Sequence, residues 1–567
     1  TERDVERVRA SMEKNFYWTL NSVYYKSLQL AFYNTYKNDP GYFTKDLEGI
    51  KSVTIADIQR VYNTYIKDKP YIATSFVPKG RLDLMAENSE KSVVNEETVE
   101  TASQVEIAES GSDSIVKTPS AIDRTAAPKL GEDPIVNTPE VWKAKLSNGI
   151  EVYGIEQKEL PLAYIDIVID GGSYLDDTSM VGVANLITDV MPQGTKNKTP
   201  EQLEEEIKLL GSDILMYTGK EEITMSADLL SRNFEKTISL MEEMILEPRW
   251  DKEEFDLAKT STINKILQNE VQPRVVANRN FYQLLYGKNH IFGYYSLGTK
   301  ESVEKIQLQD LQNFCKVNMA PNVTRIHIAG NISKGRALKA LKSLETKWTG
   351  TAQVKADRYA TPPEIQKSQI YFVDIPGSKQ SVIYAGYLAM SRNSDDFVKA
   401  GFLNYRIGGA FTSILNQILR EQKGFTYGAS SNFAELKHIA PFYISTMVRS
   451  DATLESLKII KESLENYRSG INEADLNFTR DCLLRANALR FETLGSLTEM
   501  LSTMSKYGLG DDYVEKESEA IRNFTLDDYK NTAQKYIRPD KMIYVVVGDA
   551  TTQLKPLEKI GFGKPVL

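Results

Sequence analysis

Apolar and polar positions along this chain of 567 residues fall into alternating helical and extended runs. The first stretch predicts an amphipathic helix through Tyr17 to Tyr36 and a turn at Asp39-Pro40-Gly41. The tetrapeptide Thr54-Ile55-Ala56-Asp57 follows, with a helix to about Ile66 and a strand over Tyr71–Val77. The tetrapeptide has capping-box form: its threonine can accept a free backbone N–H three residues on. From Val141 to Ile155 two apolar runs flank Asn148-Gly149, the pairing that closes a two-residue hairpin. Strands are expected at Ala163–Ile169 and Ile223–Leu229, and helices at Ser179–Met191 and Pro200–Leu210, the latter stopped by Gly211. Helices dominate from Asn233 to about Gln272. A second series predicts strands at Gln369–Val373, Ser381–Tyr387, Ala429–Phe433 and Pro441–Thr446. Its helices are Phe397–Ile407, closed by Gly408-Gly409, and Ser413–Glu421. The βαβ cadence of a doubly wound fold is absent, which favours a mixed or antiparallel sheet with helices packed on it.

The same pattern recurs along the chain. Residues 1–67 lie without a gap on residues 472–538: Asp4 falls on Asp475, Tyr42 on Tyr513, Thr54 on Thr525, Asp57 on Asp528 and Tyr65 on Tyr536. A third copy of the signal, Gln307-Leu308-Gln309-Asp310-Leu311, precedes an apolar strand ending at Gly330. The chain thus reads as the tail of one repeat followed by further copies, with the front of the first expected upstream of Thr1. Residues 81–139 break the periodicity. They mix Glu, Ser, Thr and Val, with prolines at 119, 128, 134 and 139, and read as an extended linker.

Composition narrows the function. With 41% hydrophobic and 26% charged residues the chain is globular in type. No apolar run approaches the ~18 residues of a membrane span. A net charge of −8, with Lys and Glu interleaved, argues against nucleic acid as a partner. Cys315 and Cys482 lie in different repeats and read as buried small residues rather than a disulfide or a nucleophile. His290, His327 and His438 show no i, i+4 pairing for a metal, so they read as packing or loop residues. No G-x-S-x-G elbow and no phosphate-cradling glycine loop is present.

Two segments carry a resemblance. Gly171-Gly172-Ser173-Tyr174-Leu175-Asp176, leading to Gly182-Val183-Ala184-Asn185-Leu186-Ile187-Thr188-Asp189, resembles the pitrilysin-type (inverzincin) zinc metallopeptidases. In that family a Gly-Ser turn precedes a helix bearing H-x-x-E-H. Here Asn185, Thr188 and Asp189 stand at the two histidine positions and the glutamate position, so the zinc motif is degenerate. The family's third ligand, a later Glu, should fall near Ile266 or Leu267, where there is no carboxylate. Gly408-Gly409-Ala410-Phe411-Thr412-Ser413-Ile414-Leu415, continuing through Arg420-Glu421 to Gly424 and Tyr427, resembles the signature of the family's last domain. Ile414 departs from it, the family commonly having Arg there.

The resemblance implies that Arg420 and Tyr427 are catalytic, donating hydrogen bonds to substrate at a zinc site outside this chain. Without the family, the same residues read as an ordinary helix end, with Gly424 as its stop. The implied fold class is α/β (α+β), built of repeated pitrilysin-like domains. Residues 1–80 would end a truncated domain, 81–139 form a hinge, 140–350 a degenerate domain, and 351–567 the Arg/Tyr domain. The implied function is the non-zinc C-terminal portion of a zinc metalloendopeptidase. Its substrate is a peptide or unfolded protein, and its partner is an N-terminal zinc-bearing half or a separate chain. The alternative is a catalytically inactive scaffold or partner subunit.

Overall fold

The computed structural model describes residues 1–90, 123, 131, 137–353, 359 and 361–567. The chain divides into two compact units, Thr1–Val53 with Pro134–Leu567, and Thr54–Asp133. Most of the expected linker at 81–139 lies outside the described residues.

Two mixed sheets organise the larger unit. The first contains β1 (Trp142–Lys145), β2 (Glu151–Glu156), β3 (Leu162–Asp170), β4 (Ser212–Thr218), β5 (Glu222–Leu230) and β6 (Thr324–Gly330) in the order β1-β2-β6-β3-β5-β4. Only β2 and β6 run parallel. The second contains β7 (Gln369–Asp374), β8 (Gln380–Met390), β9 (Thr426–Phe433), β10 (Ala440–Arg449) and β11 (Ile543–Gly548) in the order β7-β11-β8-β10-β9, with β7 and β11 parallel. The predicted hairpin forms at Asn148-Gly149, where Gly149 takes a φ of 104° that few other residues tolerate.

Period-2 alternation divides the residues of the first sheet between two cores. On β3, Ala163, Ile165, Ile167 and Ile169 enter one large core, shared with Val545 and Val547 of β11 and with Phe281 and Leu285 of the helix Pro273–Tyr286. Leu162 points to the opposite face and packs with Ile155 and Ala329 against Leu494, Leu497, Leu501 and Met504 of the helix Leu494–Tyr507. The six-stranded sheet therefore carries helices on both faces.

The repeat is visible in the caps. Thr54 and Asp57 close a capping box at helix α4 (Ile55–Tyr65), numbered after α1 (Glu2–Thr19), α2 (Val23–Lys37) and α3 (Phe43–Ser52). Thr525 with Asp528, and Gln307 with Asp310, build the same box at Leu526–Tyr536 and Leu308–Asn318. Helix α1 docks on the first sheet, where Lys14 pairs with Asp228 at 2.8 Å and with Asp213, and Arg232 grips the Glu13 carboxylate at 2.7 and 3.0 Å.

Three expectations need correction. The single helix through Tyr17–Tyr36 is broken after Thr19, with Ser22 as the N-cap residue of α2. Ser22 is the register partner of Thr493, which caps the equivalent helix in the last copy. The helix expected from Ser179 begins at Val183 instead: it is the fifth helix, α5 (Val183–Val190). Tyr71–Val77 is not a strand, and Tyr71, Ile72 and Phe76 are exposed. Its register counterpart β11 is bonded on one side to β7 and on the other to β8. Residues 1–70 fold as helices and turns and offer no such neighbours, so an extended segment there has no ladder to join.

Candidate functional site

The degenerate motif retains its frame. Gly172 has a φ of 53°, and a Cβ there would lie 2.5 Å from both the Gly219 carbonyl oxygen and the Glu222 nitrogen. The glycine pair thus lets the chain press onto the β4–β5 turn, where Ser173 N–H donates to Gly219 O at 3.0 Å and Tyr174 N–H to Lys220 O at 2.8 Å. The buried Asp176 carboxylate then accepts from Gly182 N–H at 2.9 Å and Ala184 N–H at 3.0 Å, starting α5. This carboxylate and the positive φ of Gly182 place the helix start four residues later than the apolar pattern implied.

On α5, Leu186 and Ile187 are core residues. Asn185 Nδ2 donates to Asp189 Oδ2 at 3.2 Å, and Thr188 Oγ1 donates to the Asn185 carbonyl at 2.8 Å. Burial raises the Asp189 pKa, an effect that Lys265 partly offsets. Ile266, on the helix Lys252–Glu270 packed against α5, is buried in the core, and Leu267 is exposed. An amide, a hydroxyl turned back on the helix and one carboxyl engaged by that amide do not fit zinc, which takes thiolate, imidazole or carboxylate donors. Among the described residues no group of three His, Cys, Asp or Glu side chains could hold a metal ion.

The second motif builds a strand edge. Gly408 lies so close to β9 that a Cβ would meet Ser431 Oγ at 2.4 Å, and Asn404 Nδ2 donates to Ser431 O at 2.9 Å. Asn416 Oδ1 accepts from Ala429 N–H at 2.8 Å. Both flanking helices close with wide i to i+5 bonds, Ala410 N–H to Tyr405 O and Lys423 N–H to Ile418 O, each 3.0 Å. Arg420, on the second of these turns, stacks over Phe411 at 4.4 Å and has its Nε 3.4 Å from Glu421 Oε1. Gly424, with φ at 60°, stops the helix, so the ordinary reading of this segment holds as local structure. Tyr427 is the second residue of β9, an edge strand, and is 90% exposed. Neither Arg420 nor Tyr427 lines the cavity of about 410 Å³ bounded by Arg392, Arg490, Glu435 and Glu517; both lie outside it.

A buried ionic cluster that no local motif announces ties the two sheets together. Glu221, in the β4–β5 turn, accepts from Lys437 N–H at 3.0 Å, His438 N–H at 3.2 Å and His438 Nδ1 at 2.7 Å, with Lys506 Nζ at 3.4 Å. Its neighbour Glu222 pairs with Lys506 at 2.9 Å and with Arg325. His438 stacks on Tyr174 at 4.4 Å, so the glycine turn of the first motif touches the β9–β10 hairpin of the second sheet. The other histidines are packing residues, as the sequence suggested. Burial lowers His290 to about 4 and His327 to about 3. His290 Nδ1 accepts from Phe292 N–H at 3.1 Å, and His327 Nε2 shares a hydrogen bond with Ser505 Oγ at 2.7 Å.

Lys220, beside this cluster, donates to Phe292 O at 3.2 Å and lies 4.5 Å from the Tyr282 ring centroid. Burial lowers its ammonium to about 8, which Glu221 only partly offsets. The folded state therefore disfavours the charged form; the penalty is full below about pH 8 and fades as the pH approaches 10.5. Lys220→Met is expected to raise stability by about 1–2 kcal/mol at pH 7 and to lose that gain near pH 10.5, as read by urea titration at both pH values.

Known proteins match both motif regions. The family model described as Insulinase (Peptidase family M16) matches residues 153–293, and the Peptidase M16 inactive domain matches residues 305–482, together more than half of the chain. The chain is 23% identical over 400 residues to the non-peptidase homolog YmxG of Helicobacter pylori, covering 70% of this chain and 90% of that protein. It is 23% identical over 258 residues to the probable mitochondrial-processing peptidase subunit beta of Arabidopsis thaliana, covering 44% of this chain and 48% of that one. The crystal structure of a peptidase M16 inactive domain from Pseudomonas fluorescens shares the fold, with a TM-score of 0.68 and 23% identity over 73% of this chain and 99% of that one.

Proposed function

The chain belongs to peptidase family M16, and from that premise we propose that it is the zinc-free portion of a pitrilysin-type metalloendopeptidase acting on peptides or unfolded segments. In this reading residues 1–80 end one domain, 81–139 are a hinge, 140–350 form the degenerate domain, and 351–567 the domain that presents Arg420 and Tyr427 to substrate. The observation that carries it is α5. A frame of Gly171, Gly172 and Asp176 is kept intact around Asn185, Thr188 and Asp189, which offer a single carboxylate and no imidazole where the zinc motif needs two histidines and a glutamate. Zinc in the complete enzyme is held outside this chain, where it supplies Lewis-acid activation of water. The residues here bind and orient: a guanidinium and a phenol donate to carbonyl oxygens of an extended peptide and to the oxyanion that develops on one of them.

The isolated chain is expected to retain no zinc after dialysis and to hydrolyse no unfolded peptide. Turnover is expected to appear when an M16 half bearing H-x-x-E-H is supplied. Stoichiometric zinc, or chelator-sensitive hydrolysis by the chain alone, would overturn the reading. The name of the H. pylori relative, a non-peptidase homolog, favours a second reading, a catalytically inactive scaffold. In that case the mixture would form a complex and remain without turnover.

A further inference from the structure

We infer that the cavity of about 410 Å³ bounded by Arg392, Arg490, Glu435 and Glu517 is a binding site for a free α-amino acid with an apolar side chain. Its floor is a built pair of guanidinium groups. Arg392 is only 8% exposed and its guanidinium lies 4.5 Å from the Phe397 ring centroid, while that of Arg490 lies 5.3 Å from the Tyr513 ring centroid. Glu517, on the helix Tyr513–Arg522, bridges the two: Oε1 accepts from Arg392 Nη2 at 2.7 Å and Oε2 from Arg490 Nη2 at 3.0 Å. The rings and the shared carboxylate fix both guanidinium groups before any ligand arrives, so little side-chain freedom remains to be lost on binding.

The charges of the floor do not balance. Two guanidinium groups share one carboxylate, which leaves one positive charge in excess. Arg392 Nε is buried and makes no hydrogen bond among the described residues; Glu435 Oε2, on an exposed side chain, comes no closer than 3.5 Å. A buried donor left without an acceptor is costly, and a carboxylate entering the cavity would answer both the charge and the donor. The rim has the opposite sign, because Glu435 and Glu499 line the cavity and are both exposed.

A ligand that suits this arrangement carries an anion inward and a cation toward the rim. The two must lie close together, since Arg392 Nε and Glu435 Oε2 are 3.5 Å apart. An α-carboxylate and an α-ammonium on one carbon meet that condition, whereas the termini of a peptide are separated by at least one amide. Val398, Met500 and Ile521 supply apolar wall for a side chain, and the volume falls among those of small-molecule sites. Glu499 and Met500 belong to the helix Leu494–Tyr507, which packs through Leu497 and Leu501 on the first sheet, so an occupant would brace that helix from its other side. Arg420 and Tyr427 take no part in the cavity.

Isothermal titration of the full chain with free L-leucine is expected to show saturable one-to-one binding with a Kd at or below about 10 mM, the affinity that a ligand of this size reaches at ordinary efficiency. Amide exchange over residues 494–507 should slow in its presence. Leucinamide, which lacks the carboxylate, and N-acetyl-leucine, which lacks the ammonium, should each bind about tenfold more weakly or worse. Arg490→Met should weaken leucine by about tenfold or more and leave leucinamide unchanged. Should that variant fail to fold, Glu435→Gln with Glu499→Gln takes its place: both side chains are exposed, the melting temperature should hold, and leucine but not N-acetyl-leucine should lose about tenfold in affinity. Absence of saturable leucine binding up to about 10 mM would overturn the inference. So would leucinamide or N-acetyl-leucine binding as tightly as leucine, or glycyl-leucine binding more tightly, which would assign the cavity to the ends of peptides instead.

Discussion

Replacing Glu221 with alanine is expected to lower the free energy of unfolding by about 3–5 kcal/mol at pH 7, the range found when one partner of a buried, hydrogen-bonded charge pair is removed. The carboxylate accepts from two backbone N–H groups and from His438 Nδ1, and lies 3.4 Å from Lys506. Its loss strands those donors where water cannot reach them all, and also frees the β9–β10 hairpin from the first sheet. Burial by itself raises the Glu221 pKa; the His438 and Lys437 bonds and the Lys506 charge outweigh it, and the net value lies below the ordinary 4.5. A depressed folded value means that this contribution is complete above about pH 4.5 and is lost as the pH falls through the folded pKa. Urea titrations of wild type and Glu221→Ala should therefore differ widely at pH 7 and converge in acid. A difference under about 1 kcal/mol at pH 7, the worth of a surface pair, would show that the cluster is held by water instead.

The regular elements were legible where burial enforces a period. β3 and β5 alternate in sequence because Ile165 and Ile167, and Met225 and Ala227, enter one core, whereas β8 is apolar on both faces, with Val382 in one core and Ile383 in the other; the capping boxes at Thr54 and Thr525 need only four residues to declare themselves. β4 carries no such signal, because it is an edge strand whose large side chains Leu215 and Tyr217 point outward, reversing the expected sense of its alternation. The start of α5 depends on Asp176, seven residues ahead of it, and on a glycine φ that the apolar pattern does not encode. Tyr71–Val77 has the composition of a strand, but strand formation is a property of neighbours.

The candidate site divides in the same way. That Asn185, Thr188 and Asp189 depart from H-x-x-E-H is legible from residue types alone, whereas the roles of Arg420 and Tyr427 rest on resemblance and stand as a proposal. The long-range contacts around the two motifs are not legible in that way. Asn404 reaches Ser431 and Asn416 reaches Ala429 across folded segments, and Glu221 meets Lys437 and His438 from more than two hundred positions away. Such pairings follow from the register of two sheets and have no local signature.

The second large effect expected concerns catalysis in the assembled enzyme. Arg420 is half-buried and Tyr427 exposed, and a change at either removes few contacts within the chain: the stack on Phe411 and the Glu421 pair for Arg420, and little but solvent for Tyr427. Stability should therefore hardly move, whereas a donor to a developing oxyanion is worth about 10²–10³ in kcat. The single most direct measurement is the steady-state kcat for one unfolded peptide substrate, with this chain assembled on a zinc-bearing M16 half, for wild type and for Arg420→Ala combined with Tyr427→Phe. A fall in kcat of at least about 100-fold is expected, with unchanged assembly and melting temperature. An unchanged kcat would contradict it and leave this chain as a scaffold.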